Sequence, residues 1–226
     1  MPEINITIEI NDSIFIRDPL ETNLGKKLIK KAIVLIYEIG FEQLTFKKLA
    51  KAMDSTEASV YRYFENKHKL LVYLVAWYWD FMHFMVRLNI RNVSDPKDKL
   101  LRSISTLVNS LDNTMTPSYI DHSKLHVVVV ENASKVYHNK NVDLLNKEGY
   151  YVSYKNIIKT LSEIILENDS DFRYPVTYAT NLIEHSLNNE YYLEHLPSLT
   201  DTNKRGDAKQ DTMDMITYLI ERVLNI

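Results

Sequence analysis

The run STEASVYRYFENKHKLL, Ser55 to Leu71, decides the fold. It crowds hydroxyls, tyrosines and bases around few apolar anchors: Val60, Phe64 and the pair Leu70–Leu71. A core helix needs fewer hydrogen-bonding groups. A solvated helix needs no phenylalanine beside two tyrosines. Val60 and Phe64 are spaced i, i+4, so one face of a short helix can pack inward. Thr56, Glu57, Ser59, Tyr61, Arg62 and Tyr63 then point outward or sideways.

Working upstream, TFKKLAKAM places Phe46, Leu49, Ala50 and Met53 at i, i+3, i+4 and i+7, a second short helix with Thr45 as its N-cap. Before it, Leu28, Ile29, Ala32, Ile33, Leu35, Ile36 and Ile39 mark a first helix, capped by Thr22 or Asn23 and closed by Gly40. A packing helix followed by two short helices is a helix-turn-helix. The third helix would begin at Ser55 or Thr56 and run to about Phe64, with Asp54 tolerating the left-handed turn before it. Its N-terminal turn would meet base edges in the major groove, and rim hydroxyls would bond phosphate oxygens. Asn66 is a candidate cap for a long fourth helix, about Lys67 to Asn92, whose free N–H groups favour a phosphate.

Charge agrees with this placement. From Glu21 to Leu70 ten bases face six acids, a net +4 that leaves the rest of the 226-residue chain at −7. A basic block on an acidic body suits one polyanion-binding end. Only 4 glycines and 6 prolines argue for long helices, and the lack of cysteine excludes disulfides and thiolate metal sites. The longest apolar run, Leu70 to Trp79, is too short to span a bilayer, and the N-terminus shows no signal-peptide pattern. The expectation is a soluble cytoplasmic protein without a membrane partner.

Downstream, further helices are expected at about Ser94–Asn113, Pro117–Asn139, Val142–Glu167, Phe172–Leu196 and Asp207–Asn225, making nine. The first twenty residues alternate apolar and polar in NITIEI and SIFIRD, which fits a β-hairpin around Asn11–Asp12 or else a frayed arm. Arg17 stands against Glu3, Glu9, Asp12 and Asp18 there, a balance unsuited to a minor-groove arm.

GFEQLTFKKLAKAMDSTEASVYRYFENKHKLL resembles the N-terminal domain of the TetR family of transcriptional regulators. The shared pattern is Gly40-Phe41, Thr45, Leu49-Ala50, Tyr61-Arg62-Tyr63-Phe64, Lys67 and Leu70-Leu71. Asp54 stands where the family usually has a turn glycine, and Ser55 where it has an apolar residue. The resemblance implies an all-α, nine-helix architecture with a helix-turn-helix domain (21–68) and a helical ligand-binding and dimerisation domain (69–226), and the extension (1–20) before them is unusual for the family. It implies phosphate contacts from Thr45, Tyr61, Tyr63 and Lys67. It implies base or groove contacts from Ser55, Thr56, Glu57, Ala58, Ser59 and Arg62. Glu57 either accepts from a cytosine amino group or faces the helix dipole and points away.

The resemblance also implies a homodimer on a palindromic operator, with half-sites about 34–36 Å apart. Tyr178, Leu182, Ile183, Leu187 and Tyr191, with Met215, Leu219, Arg222 and Val223, form stripes that serve either that interface or the core. Tyr73, Trp77, Phe81, Phe84, Tyr119, His122, His126, Tyr151 and Tyr154 would line a cavity for a small hydrophobic ligand, or simply pack. His122 and His126 are spaced for a metal, but no further ligand completes a set. No nucleophile, Gly-rich phosphate loop or HExxH motif is present, so no enzyme and no cofactor is expected. The function expected is a DNA-binding regulator, a repressor released by ligand. The alternative is a regulator or scaffold whose C-terminal body recruits a protein partner and has no inducer.

Overall fold

The computed structural model describes residues 10–109, 116–138, 140–201 and 208–226. Among these residues are ten α-helices and no strand. They are α1 (Asn23–Gln43), α2 (Phe46–Ala52), α3 (Glu57–Tyr61), α4 (Lys67–Ile90), α5 (Pro96–Val108), α6 (His122–Tyr137), α7 (Val142–Lys147), α8 (Val152–Asn168), α9 (Pro175–His195) and α10 (Ala208–Leu224). The chain divides into two compact units. One is Met1–Asp80 with Leu111–Ser153, and the other is Phe81–Ser110 with Tyr154–Ile226.

The first unit is organised around α1. Leu28, Ile29, Ala32, Ile33 and Ile36 recur at helical spacing and are fully buried. Thr22 caps the helix, its Oγ1 accepting from Gly25 N–H at 2.9 Å. Gly40, at φ 76° and ψ 155°, stops the regular helix before Phe41–Gln43 complete a last turn. That backbone region is essentially reserved to glycine. Thr45 then caps α2 through Lys48 N–H at 3.2 Å.

The turn between α2 and α3 closes as a Schellman motif. Ser55 N–H donates to Ala50 C=O at 3.0 Å and Asp54 N–H to Lys51 C=O at 3.2 Å. Asp54 sits at φ 53°, the left-handed conformation expected of it. Thr56 caps α3, accepting from Ser59 N–H at 3.3 Å. The regular part of α3 ends at Tyr61, earlier than expected, where the chain tightens into an i→i−3 bond from Tyr63 N–H to Val60 C=O. Asn66 caps α4 through Lys69 N–H at 2.9 Å.

Three expectations are corrected. The second arm of the hairpin does not form: Asp12–Ile14 and Pro19–Glu21 are 3-10 turns. Its first arm, NITIEI, lies outside the described residues. The single helix expected from Val142 to Glu167 is two, α7 and α8, because Gly149 takes φ 81° between them. The helix expected from Phe172 begins at Pro175, whose ring disfavours helical backbone at Tyr174 and occupies the first turn.

In the second unit α5, α9 and α10 pack on one another. Their core includes Leu100, Ile104, Leu107, Leu182, Ile183, Leu187, Ile216, Ile220 and Leu224. Leu182, Ile183 and Leu187, placed by the sequence reading on a subunit interface, are thus interior to one chain. Val223, Leu219 and Arg222 are exposed, and Met215, Tyr178 and Tyr191 half-buried. No described helix is long and apolar enough to cross a membrane.

A Cβ at Gly40 would meet nothing within 4 Å. Gly40→Ala therefore tests backbone strain alone. Urea unfolding is expected to show a loss of about 1–3 kcal/mol.

Candidate nucleic-acid interface

α2, the Schellman turn and α3 present a polar surface backed by apolar side chains. Phe46, Leu49, Ala50, Met53, Val60 and Phe64 are turned inward and buried. Thr45, Thr56, Glu57, Ala58, Tyr61 and Arg62 are exposed, with Ser55 and Ser59 half-buried. Thr56 and Ser59 hydroxyls pair at 2.9 Å, which ties the first turn of α3 together. The Tyr61 ring stands edge-on to Phe46, centroids 4.9 Å apart, and stays 48% exposed. Packing thus restrains the ring while its hydroxyl end faces solvent. Glu57 lies in the first turn of α3. The expected residues from Thr45 to Arg62 are thereby brought onto one surface.

Two expected phosphate contacts are placed differently. Tyr63 is only 3% exposed, and its hydroxyl pairs with Thr22 Oγ1 at 2.7 Å. It fastens α3 to the start of α1 rather than lying on the surface. Lys67 donates to Phe41 C=O at 3.2 Å and Glu42 C=O at 3.0 Å, with its ammonium 4.8 Å over the Phe41 ring. It bonds carbonyls just past Gly40, sharing that of Phe41 with Leu44 N–H, and keeps one of its three N–H donors.

The nearby bases Lys47, Lys48 and Lys51 on α2 are exposed, although Lys48 Nζ donates to Gln43 C=O at 2.9 Å. Sequence reasoning counted their charge but not their place, which follows from burial of the opposite face of α2. Burial, and then the neighbouring Lys69, lowers the pKa of His68. Asp54, beside the interface, lies 3.6 Å from Lys27 Nζ in an exposed pair.

The expected ligand residues fall in both units. In the first, Tyr73 packs edge-on to Phe64 at 5.3 Å, and Trp77 is fully buried. Burial, then Asp18 and Tyr119, raises the Tyr73 phenol well above its ordinary range. His122 stacks on Tyr78 at 5.5 Å, and His126 Nδ1 shares a 2.9 Å hydrogen bond with the Tyr78 hydroxyl. Tyr119 is half-buried beneath Lys26, 5.7 Å from its ring centroid. The Tyr151 hydroxyl donates to Val136 C=O at 2.9 Å. Phe81, Phe84 and Tyr154 belong to the second unit, where the Tyr154 hydroxyl donates to Glu184 at 2.9 Å. A surface hollow of about 390 Å³ in that unit is lined by Leu88, Asn89, Ser94, Asp95, Asp98 and Arg102 among others, and by none of the expected ligand residues. Among the described residues no three His, Asp or Glu side chains converge on a metal position.

Comparison with known proteins follows the same lines. The model of bacterial regulatory proteins of the tetR family matches residues 28–74. No curated protein sequence matches the chain. Among solved structures, AibR in complex with isovaleryl coenzyme A and operator DNA is 14% identical, with TM-score 0.60 over 85% of this chain and 95% of that one. The fatty acid degradation regulator FadR from Bacillus halodurans is 17% identical, with TM-score 0.61 over 90% and 95%. A tetR-family regulatory protein from Rhodococcus RHA1 is 15% identical, with TM-score 0.60 over 90% and 97%. At these identities the likeness is one of fold.

The placement of Tyr63 makes a prediction. Tyr63→Phe removes its bond to Thr22, so chemical denaturation should show a loss of about 1 kcal/mol. A loss of DNA affinity at unchanged stability would instead put that hydroxyl on a phosphate.

Proposed function

We infer that this chain, a TetR-family transcriptional regulator, is a repressor that reads a palindromic operator as a dimer and releases it on binding a small apolar ligand. The observation that carries the DNA-binding part is the set Thr45, Thr56, Ala58, Tyr61 and Arg62, exposed, with Ser55 and Ser59 half-buried beside them, on or flanking two short helices whose apolar sides are buried. Hydroxyls of Thr45 and Tyr61 meet phosphate oxygens. Ser55, Thr56, Ala58 and Ser59 face base edges, and Arg62 a phosphate or guanine. Glu57 stays near the positive end of α3. Lys67 offers its remaining N–H to the backbone. Family and fold are those of regulators rather than enzymes, in keeping with a cytoplasmic DNA-bound role.

For the ligand, support comes from the aromatic set in the first unit: Tyr73, Trp77, Tyr119, His122, His126 and Tyr151. It mixes apolar bodies with polar tips, the lining that holds an apolar molecule in one orientation. AibR supplies the analogy, having been crystallised with both an acyl coenzyme A and operator DNA. A ligand displacing Tyr73 and Trp77 would shift the first half of α4, which begins five residues after Arg62, and so the reading helix.

The dimer is placed on the outward stripe of α10. Met215, Tyr218, Leu219 and Arg222 recur at i, i+3, i+4 and i+7, beside the buried stripe of Ile216 and Ile220. Tyr218 and Leu219 are 57% and 40% exposed within one chain, apolar area that a second copy would cover.

Fluorescence anisotropy against DNA from upstream of the chain's own gene, over a salt series, tests the first claim. Selective binding at two chains per site is expected. Arg62→Ala should lower the steepness of the log–log salt dependence by about one if it meets a phosphate. If it reads guanine, selectivity falls instead. Absence of selective binding at low salt by the unmodified chain would sink the proposal.

Leu219→Glu should yield monomers in sedimentation velocity and lose operator binding. The separated chains should keep their helical content by circular dichroism, since the site is exposed in one chain. A dimer that survives this change puts the interface elsewhere.

A further inference from the structure

The N-terminal segment ties the end of the reading helix to a remote corner of the same unit. Tyr63 is gripped twice: its carbonyl accepts from Ile16 N–H at 2.8 Å, and its hydroxyl pairs with Thr22 at 2.7 Å. At the other end, Asn11 Nδ2 donates to Glu148 C=O at 2.6 Å, at the corner between α7 and α8. Ser13 C=O, two residues on, accepts from Lys69 Nζ at 2.8 Å and from the Tyr150 hydroxyl at 3.1 Å. Lys69 is also bonded to that hydroxyl and lies 4.4 Å over the Tyr150 ring.

The stretch between these grips is anchored at a few points among exposed residues. Ile14 is buried, Phe15 stands edge-on to Tyr73 at 6.0 Å, and Pro19 is buried against α1. A Cβ at Gly25 would lie 2.1 Å from Pro19 O, so strap and helix are in direct contact. Gly149 accommodates the strap in turn: besides φ 81°, a Cβ there would lie 2.7 Å from Asn11 Nδ2.

We propose that residues 11–22 are a latch that positions the reading helix, holding Tyr63 in register with the α7–α8 corner so that movement of that corner changes DNA affinity. The proposal rests on the DNA-binding reading above. A chain with buried side chains and a proline passes displacement along its length instead of absorbing it. Asn11, Ser13 and Lys69 act through Tyr63 and are positioning residues. The corner and the reading helix are then two ends of one physical connection.

Asn11→Asp isolates the latch. It is isosteric and keeps the oxygen that accepts from Ser13 N–H at 2.9 Å, but it loses the donor to Glu148. Gly149→Ala attacks the same grip from the other side. Both variants and the unmodified chain would be followed by hydrogen–deuterium exchange and DNA anisotropy, with circular dichroism reporting the fold.

The latch requires faster exchange in the peptide covering residues 61–66, by about three- to tenfold, and a loss of DNA affinity of similar size. A purely local role would confine faster exchange to residues 11–15 and 146–150, and that overturns the proposal. Faster exchange at 61–66 with unchanged operator affinity overturns it as well. If the unmodified chain binds no DNA, the regulator reading fails by itself, and exchange at 61–66 still decides whether the mechanical link exists. Should Gly149→Ala not fold, Asn11→Asp gives the answer.

Discussion

The closure of α2 onto the turn at Asp54 is the constraint on which the reading surface depends. Two carbonyls of α2 are taken up by Asp54 and Ser55 N–H, with Asp54 at φ 53°. That reversal aims α3 away from α2, buries Val60 and Phe64, and leaves the opposite side of α3 in solvent. An aspartate meets this geometry less readily than a glycine, because a Cβ crowds the left-handed backbone. It also brings a negative charge beside the surface proposed to meet DNA, which the exposed Lys27 partly offsets.

Around this turn, α1 is fastened at both ends by side chains from outside it. Thr22 caps its start and meets Tyr63, while Lys67 reaches the carbonyls past Gly40 from the first residue of α4. The two ends of α1 are therefore joined by hydrogen bonds to the segment after α3 and to the start of α4. Aromatic residues conserve this arrangement economically: Phe41 lies under Lys67, and Phe46 backs Tyr61. A residue type that looks like a DNA contact in isolation is here divided between two tasks. Tyr61, the last residue of α3, faces out, and Tyr63, two positions on and past its end, faces in.

The outward stripe of α10 shows a similar division. Ile216 and Ile220 close the second unit, while Tyr218 and Leu219 between them stay exposed. On α9 the apolar residues Leu182, Ile183 and Leu187 are consumed by the core of their own chain. Apolar spacing identifies a helix face that is buried, and a subunit interface and a core both satisfy it. Only the neighbours decide which.

By itself the sequence determined the helical class, the helix-turn-helix, and the capping residues Thr45 and Asn66, and it narrowed two more caps to pairs that included Thr22 and Thr56. Those features are local: they rest on spacing, on side-chain oxygens reaching N–H groups two or three residues away, and on glycine at Gly40. It also determined which stretch carries the exposed hydroxyls and bases. The tertiary structure alone decided the inward turn of Tyr63, the engagement of Lys67 and the path of residues 11–22. Each of these depends on atoms far away in the chain. Asn11 meets Glu148 across 137 positions and Thr22 meets Tyr63 across 41. No periodicity within a segment encodes contacts of that range, because they exist only once the intervening helices have packed.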